Sequence, residues 1–346
     1  MTASRRTALQ FFAVLACSVG AAGLAQAQSV ADFYRGKTIN LIIGTSAGND
    51  YDYRARLVAR FMGKYIPGEP LIVPRNMPGG GGIQAANYVS NMAPRDGTVM
   101  HMIMQNMMAA QAVQMPGIEF DTRKLIWIGN TTSAPNVINS WHTSGITSIE
   151  QVRTQELVVG APMGTAGALY PALLNAVAGM KFRLVMGYPG GNEVNLAMER
   201  GEVSGRGSNS WASWKSTKPE WLRDKKINIL VQVGLKRHPD LPDVPLLLEL
   251  ASKPEDRKLL EFFSADTDLS RSLVTTPNVP AERVAVLRAA FDAVMKDPEF
   301  LAEAARAGMD ISPGTGADSQ KVAESIVNAP PEIIARAKAI MEAPAK

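Results

Sequence analysis

Cysteine is almost missing from this 346-residue chain: the single one, Cys17, lies close to the N-terminus. A disulfide framework is thereby excluded, and stability has to rest on an apolar core. Histidine is nearly as scarce. His101, His142 and His238 are scattered along the chain, so no transition-metal cluster with ligand spacing can be drawn. A strong charge of one sign is lacking too. Lys and Arg number 36 against 32 Asp and Glu, and loss of Arg5 and Arg6 with an N-terminal leader would leave about +2. That excess is too small to argue for nucleic acid or an anionic membrane as partner. Beyond residue 24 there is no apolar stretch approaching the roughly 20 residues of a membrane span, and no short repeat or low-complexity tract.

The N-terminus carries the clearest signal. Arg5 and Arg6 precede an apolar run from Ala8 to Leu24 that ends in Ala25, Gln26 and Ala27. This is the layout of a secretory signal peptide, with export and cleavage expected between Ala27 and Gln28. Gln10 and Ser18 interrupt the run, which disfavours a permanent anchor. Ser4-Arg5-Arg6 is a weak match to a twin-arginine signal, and Ala16-Cys17 to a lipoprotein cleavage site; plain removal fits both neighbourhoods better. The remaining chain of about 320 residues exceeds what one hydrophobic core usually covers, which predicts two lobes.

Along the mature chain the order of elements is α/β. The run Thr38–Ile43 reads as a buried strand stopped by Gly44. The loop Thr45-Ser46-Ala47-Gly48-Asn49 follows, then a helix from about Asp50 to Tyr65 with Leu57, Val58, Phe61 and Met62 on one face. Leu71–Val73 reads as a strand, Asn76–Gly82 as a glycine loop, Ile83–Asn91 as a helix and Val99–Ile103 as a strand. A second set starts near Leu125–Gly129. Leu157–Gly160 is a strand, Ala161–Gly167 a second small-residue loop and Tyr170–Val177 the helix behind it. Ile227–Val233 and Leu273–Thr275 complete the expected strands, and the spacing from Ala281 to Met295 and from Ser319 to Ala343 is helical. Two lobes of this kind, each with a glycine-rich loop at the C-terminal end of a strand, place a ligand in the crevice between them. Helix N-termini after such loops suit an anion.

Several motifs suggest catalysis or nucleotides and fail on context. Gly44-Thr45-Ser46-Ala47-Gly48 matches the Gly-x-Ser-x-Gly elbow of serine hydrolases, but it follows the first strand rather than a prebuilt sheet, and no histidine lies near the C-terminus. Gly36-Lys37-Thr38 looks like the tail of a P-loop, yet Ala31 stands where the leading glycine belongs. Gly79–Gly82 lacks the third glycine of a dinucleotide fingerprint, because Gln84 occupies it. Trp211, Trp214 and Trp221 have the spacing of one packed helical face. Arg206, in Gly205-Arg206-Gly207-Ser208-Asn209, is placed to pair with a carboxylate through two parallel hydrogen bonds, or else to sit in solvent.

Taken in order, further motifs resemble the periplasmic substrate-binding proteins of tripartite tricarboxylate transporters, the Bug-type receptors. Gly36-Lys37-Thr38-Ile39 leads into the first strand; Asp52-Tyr53-Arg54-Ala55-Arg56-Leu57 is similar to the family's Asp-x-x-Ala-Arg-Leu. Asn76-Met77-Pro78-Gly79-Gly80-Gly81 and Ala93-Pro94-Arg95-Asp96-Gly97-Thr98 resemble its Asn-x-Pro-Gly-x-Gly and Ala-Pro-x-Asp-Gly-Thr turns. Tyr188-Pro189-Gly190, Gly201-Glu202-Val203 and Leu241-Pro242-Asp243-Val244-Pro245 continue the series. The resemblance implies a periplasmic-binding-protein fold, with a signal peptide at 1–27, a first lobe at 28–128 completed by 266–346, and a second lobe at 129–265. It implies ligand contacts from Thr45, Ser46, Ala47, Gly48 and Asn49 and from Gly164, Thr165, Ala166 and Gly167. Asp52, Asn76, Tyr188 and Arg206 complete the candidate set, Asp50 and Asp52 being expected as a cap and an orienting group. Departures bear on the ligand: the first loop lacks the family's prolines, Tyr170 stands where His is common, and Ser204 where Asp is common. The expectation is a non-catalytic, cofactor-free monomer that binds a small di-, tri- or aromatic carboxylate and hands it to integral-membrane transporter subunits. A sensor feeding a signalling receptor and a secreted hydrolase using Ser46 are the alternatives.

Overall fold

The computed structural model of the chain describes residues 30–162 and 165–342; the expected leader lies outside them. Its strands are β1 (Thr38–Ile43), β2 (Leu71–Asn76), β3 (Val99–Ile103), β4 (Ile126–Asn130), β5 (Asn136–Trp141), β6 (Leu157–Pro162), β7 (Phe182–Tyr188), β8 (Gly205–Ser210), β9 (Ile227–Val233), β10 (Ser272–Thr275) and β11 (Gly314–Thr315). They form two sheets, one of order β11-β4-β10-β3-β1-β2 and one of order β7-β6-β8-β5-β9. Each sheet has a parallel trio at one side, β2-β1-β3 in the first and β7-β6-β8 in the second. The remaining strands pair antiparallel. This is the two-lobed α/β architecture expected from the sequence.

The trio order matters for function. In both sheets the chain leaves the middle strand towards one neighbour and returns to the other side, so the loops after β1 and β6 each sit at a topological switch point. A crevice opens there, outside the carboxyl ends of the strands.

β8 shows why half the second sheet is hard to read. Its sequence, Gly-Arg-Gly-Ser-Asn-Ser, has no apolar residue, yet it is a central strand between β6 and β5. Glycine is required for the approach: a Cβ at Gly207 would collide with the Gly167 carbonyl and lie 2.9 Å from Pro171 Cγ. Close backbone approach of this kind is a main reason for glycine inside a strand. The last helical stretch also differs from expectation. It is two helices, Gly316–Val327 and Pro331–Glu342, because Pro330 and Pro331 interrupt the pattern. The second of these packs against helices Ala166–Ala178 and Pro254–Ser264, although the sequence grouping placed residues 266–346 with the first lobe.

Residues 131–135 link the first sheet to the second. The joint where the lobes meet is polar and buried. Asp50, the first residue of helix Asp50–Met62, is 1% exposed and accepts from Arg54 Nε (3.1 Å) and Arg271 Nε (2.6 Å). Burial alone would raise its carboxyl, but Arg271 and then Arg54 more than offset this and hold it below the ordinary value. Asp266 lies beside this group and joins the lobes directly. It is within reach of Gln105 Nε2 (3.4 Å) from the first lobe and Tyr170 OH (3.5 Å) from the second. Burial pushes its carboxyl up to about 8, so it is a neutral acid at neutral pH.

Two outcomes follow. Replacing Asp50 with Asn leaves two buried guanidiniums short of a counter-charge and should lower the unfolding free energy by about 3–5 kcal/mol in urea titrations. At Asp266 the folded value lies above the unfolded one of about 3.9, so its contribution is complete below about pH 4 and is lost as pH rises through 8. Asp266→Asn should therefore gain on the wild type across that window. Parallel stability–pH curves for the two proteins would show that the buried acid is not the cause.

Candidate functional site

The first loop is shaped from within by Asp52. Its carboxylate, buried at the start of helix Asp50–Met62, accepts from Gly48 N (3.0 Å), Arg56 Nε (2.9 Å) and Asn76 Nδ2 (2.9 Å). Burial acts to raise it, and the hydrogen bonds from Arg56, Gly48 and Asn76 bring it below the usual carboxylate range. Asn76 also donates to Thr45 O (3.0 Å) and accepts from Arg56 Nη2 (2.8 Å). Asn49 caps the helix by accepting from Asp52 N (3.2 Å) and holds Thr45 Oγ1 at the same distance. The hydrogen-bonding groups of Asp52 and Asn76 are thus engaged inside the loop. Ser46 and Ala47 are left exposed at its tip.

Ser46 has no histidine or carboxylate hydrogen-bonded to it among the described residues. His101, the histidine of β3, is buried, with Nδ1 3.0 Å from Ile42 O, and burial pulls it down to about 4. It is a neutral core residue at physiological pH. Behind the loop, Gly79–Gly82 all adopt positive φ, and a Cβ at Gly82 would lie 2.6 Å from Met104 Cγ. The second glycine loop thus packs tightly under Gly44, itself 3.3 Å from Gly82 Cα at the Cβ position.

In the second lobe, Gly164 lies outside the described residues. Thr165 stands at the N-cap of helix Ala166–Ala178, but its hydroxyl donates to Pro162 O (2.8 Å) instead of capping. Gly167 is buried against β8, its Cβ position 3.6 Å from Ser208 N. Ser210 Oγ and Asn209 Nδ2, at the C-terminal end of β8, are buried and have no hydrogen-bond partner among the described residues. Ser210 is the N-cap of helix Trp211–Thr217 and makes no capping bond. Two unengaged donors at the carboxyl edge of the central strand were not singled out from the sequence, because Ser and Asn in a glycine-rich stretch read as loop residues.

Tyr188 and Arg206 lie on the other face of the same sheet. Tyr188 Cε2 is 3.2 Å from the Cβ position of Gly160, together with Val194 and Val203. Arg206 donates to Ser208 O (3.0 Å) and Asn195 Oδ1 (2.9 Å), and its guanidinium sits over Trp214 (5.4 Å). It fills the space below Gly191, the first residue of helix Gly191–Glu199, where any Cβ would collide with it. Burial pulls it down to about 10 while Glu193 acts to raise it, so it stays charged at neutral pH. The three tryptophans are core: Trp214 is fully buried and stacks at 5.6 Å on Trp221, and Trp211 donates to Asp240.

Across the crevice, Asn192 Nδ2 donates to Gly48 O at 3.3 Å. The first loop and the N-terminus of helix Gly191–Glu199 therefore face each other directly. The arrangement brings together neutral side-chain donors, the Gly48 carbonyl and one arginine, and among the described residues Ser46 has no base beside it.

No known protein-family profile matches the chain, and no curated protein is significantly similar in sequence. Solved structures are similar throughout its length. The periplasmic binding protein BugD superposes with a TM-score of 0.69 at 17% identity, covering 89% of this chain and 98% of that one. The R. palustris protein Rpa4515 with adipate gives 0.67 at 21% identity over 88% and 97%. MatC from Rhodopseudomonas palustris with bound malate gives 0.66 at 19% over 88% and 99%. A TctC solute-binding protein from Polaromonas gives 0.60 at 19% over 89% and 99%. At such identities the likeness is one of fold, and the chain has the two-lobed α/β fold of the TctC and Bug-type solute-binding proteins.

Proposed function

We propose that the chain is an exported solute-binding protein that captures a small carboxylate between its lobes and passes it to integral-membrane subunits of a tripartite tricarboxylate-type transporter. The observation that carries this reading is the facing of the loop after β1 and the carboxyl edge of the second sheet, where Asn192, just after β7, donates to Gly48 O. Support comes from the unengaged donors Asn209 and Ser210, from Arg206, and from neighbours of the same fold that hold adipate and malate. The N-terminal layout of Arg5 to Ala27 supports a periplasmic location.

In this reading a ligand carboxylate sits between the tip of the first loop, where Ser46 and Ala47 offer N–H groups, and the N-terminus of helix Ala166–Ala178. Asn209 and Ser210 supply neutral donors from below. Arg206 supplies the positive charge that balances the anion, acting through the turn at Gly190–Asn192. Asp52 and Asn76 are positioning residues: they set the loop and touch no ligand. Binding is non-catalytic, and the closed form gains only what the ligand contributes to it over the open form.

Thermal-shift titration of the mature protein against a panel including adipate, malate, a tricarboxylate, an aromatic acid and neutral sugars tests the reading, since a ligand of the folded state raises the midpoint. A carboxylate should stabilise and a sugar should not. Arg206→Met and Asn209→Ala should each weaken the stabilising carboxylate by roughly 10-fold. Stabilisation by neutral solutes alone would overturn the assignment.

A further inference from the structure

A second set of contacts between the lobes lies at the end of one helix, beside the joint at Asp50. Helix Trp211–Thr217 belongs to the second lobe. Trp211 and Trp214 pack with Val137, Met198 and Val203 of the second sheet and its helix. Its last turn nevertheless reaches the first lobe at three points. Ser216 Oγ donates to Asp50 Oδ1 at 3.0 Å. Lys215 Nζ forms an ion pair with Asp310, in the segment that follows helix Pro298–Arg306. The Lys215 carbonyl sits against Gly308, where a Cβ would be 2.7 Å away. The receiving segment is rigidly seated: Arg54 donates to Asp310 O (2.8 Å), Met309 is part of the first-lobe core, and Phe300 packs edge-on against Phe61 at 5.8 Å.

We infer that Lys215, Ser216 and Asp310 form a ligand-independent latch that holds the lobes together and sets the affinity for solute from outside the binding cleft. This rests on the solute-binding reading in that closure is the step by which solute is retained. Lys215 is held from both sides, since its ammonium also meets Asp240 of its own lobe at 2.9 Å. Opening the lobes therefore leaves Lys215 paired within its lobe and strips only the cross-lobe partner. That makes the latch reversible: its opening buries no uncompensated charge. A half-exposed ion pair of this kind is weak alone, but it acts together with the Ser216 bond and the Gly308 contact on a single open–closed equilibrium. Each factor by which the latch favours closure lowers the apparent dissociation constant by the same factor, until the closed state dominates.

The test uses ligand-free protein and so does not depend on the solute being known. In a chain beginning at Gln28, which has no native cysteine, spin labels at Leu71→Cys and Lys181→Cys would sit at strand ends of the two lobes remote from the cleft. The wild type should give a predominantly short interlobe distance. Asp310→Lys, which replaces attraction by repulsion, should move on the order of 3- to 10-fold more of the population to a longer distance, and Ser216→Ala should move less. Asp240→Asn, which leaves the cross-lobe pair in place and removes the partner that Lys215 keeps on opening, should give no shift to the longer distance. Far-ultraviolet circular dichroism distinguishes opening from unfolding in Asp310→Lys, and Asp310→Asn provides the milder variant. An unchanged distance distribution in Asp310→Lys, or an equal shift in Asp240→Asn, would overturn the latch and leave the carboxylate reading untouched. Failure of every carboxylate to bind, with the distance shift intact, would have the opposite meaning.

Discussion

One buried carboxylate ties the functional parts of this molecule together. Asp50 begins the helix behind the first ligand loop, accepts from Arg54 one turn along that helix, from Arg271 on the segment returning from the second lobe, and from Ser216 at the end of a second-lobe helix. Helix, joint and opposite lobe thus share one anion. Because two guanidiniums surround it, the site tolerates neither protonation nor loss of Asp50 without leaving buried charge unpaired. The loop after β1 inherits its position from this anchor, since Asn49, Gly48 and Asp52 are all placed by the first turn of the same helix.

That division of labour is compatible with acidic residues standing beside the proposed anion site. Asp50 is turned into the joint, and Asp52 is turned into its own loop. Their negative charge is spent on Arg54, Arg271 and Arg56, and the tip of the loop at Ser46 and Ala47 carries no charged side chain. In the second lobe the balance is different. Arg206 lies under a helix N-terminus, and both features favour negative charge above them. The asymmetry, a neutral loop on one side and a cation on the other, suits an anion that is first held by backbone and then enclosed.

Parts of this design were legible in the amino-acid sequence because they depend on local pattern. β1, β3 and β9 were placed at their observed limits since each is a compact apolar run, and both ligand loops announce themselves by small residues between strand and helix. β5 and β8 escaped because their environment, not their composition, makes them strands: Asn136–Trp141 is half polar, and β8 has no apolar residue at all; β7, Phe182–Tyr188, was missed although it is rich in apolar residues. The cross-lobe contacts are beyond any local pattern. Asn192 and Gly48 are 144 residues apart and Ser216 and Asp50 are 166 apart, so nothing near either partner indicates the other. Asp52 and Asn76 stood out in the sequence as members of the candidate site, and the structure shows them hydrogen-bonded to each other and to the loop that follows β1.

The central claim, that one carboxylate is gripped by backbone from both lobes at once, is tested most directly by amide NMR of the mature protein titrated with the carboxylate that stabilises it best. The account predicts that the amides of Ser46 and Ala47 and those of Ala166 and Gly167 shift with a single common dissociation constant, with the side-chain amide of Asn209 following them. Shifts confined to one lobe, or centred away from both loops, would contradict it.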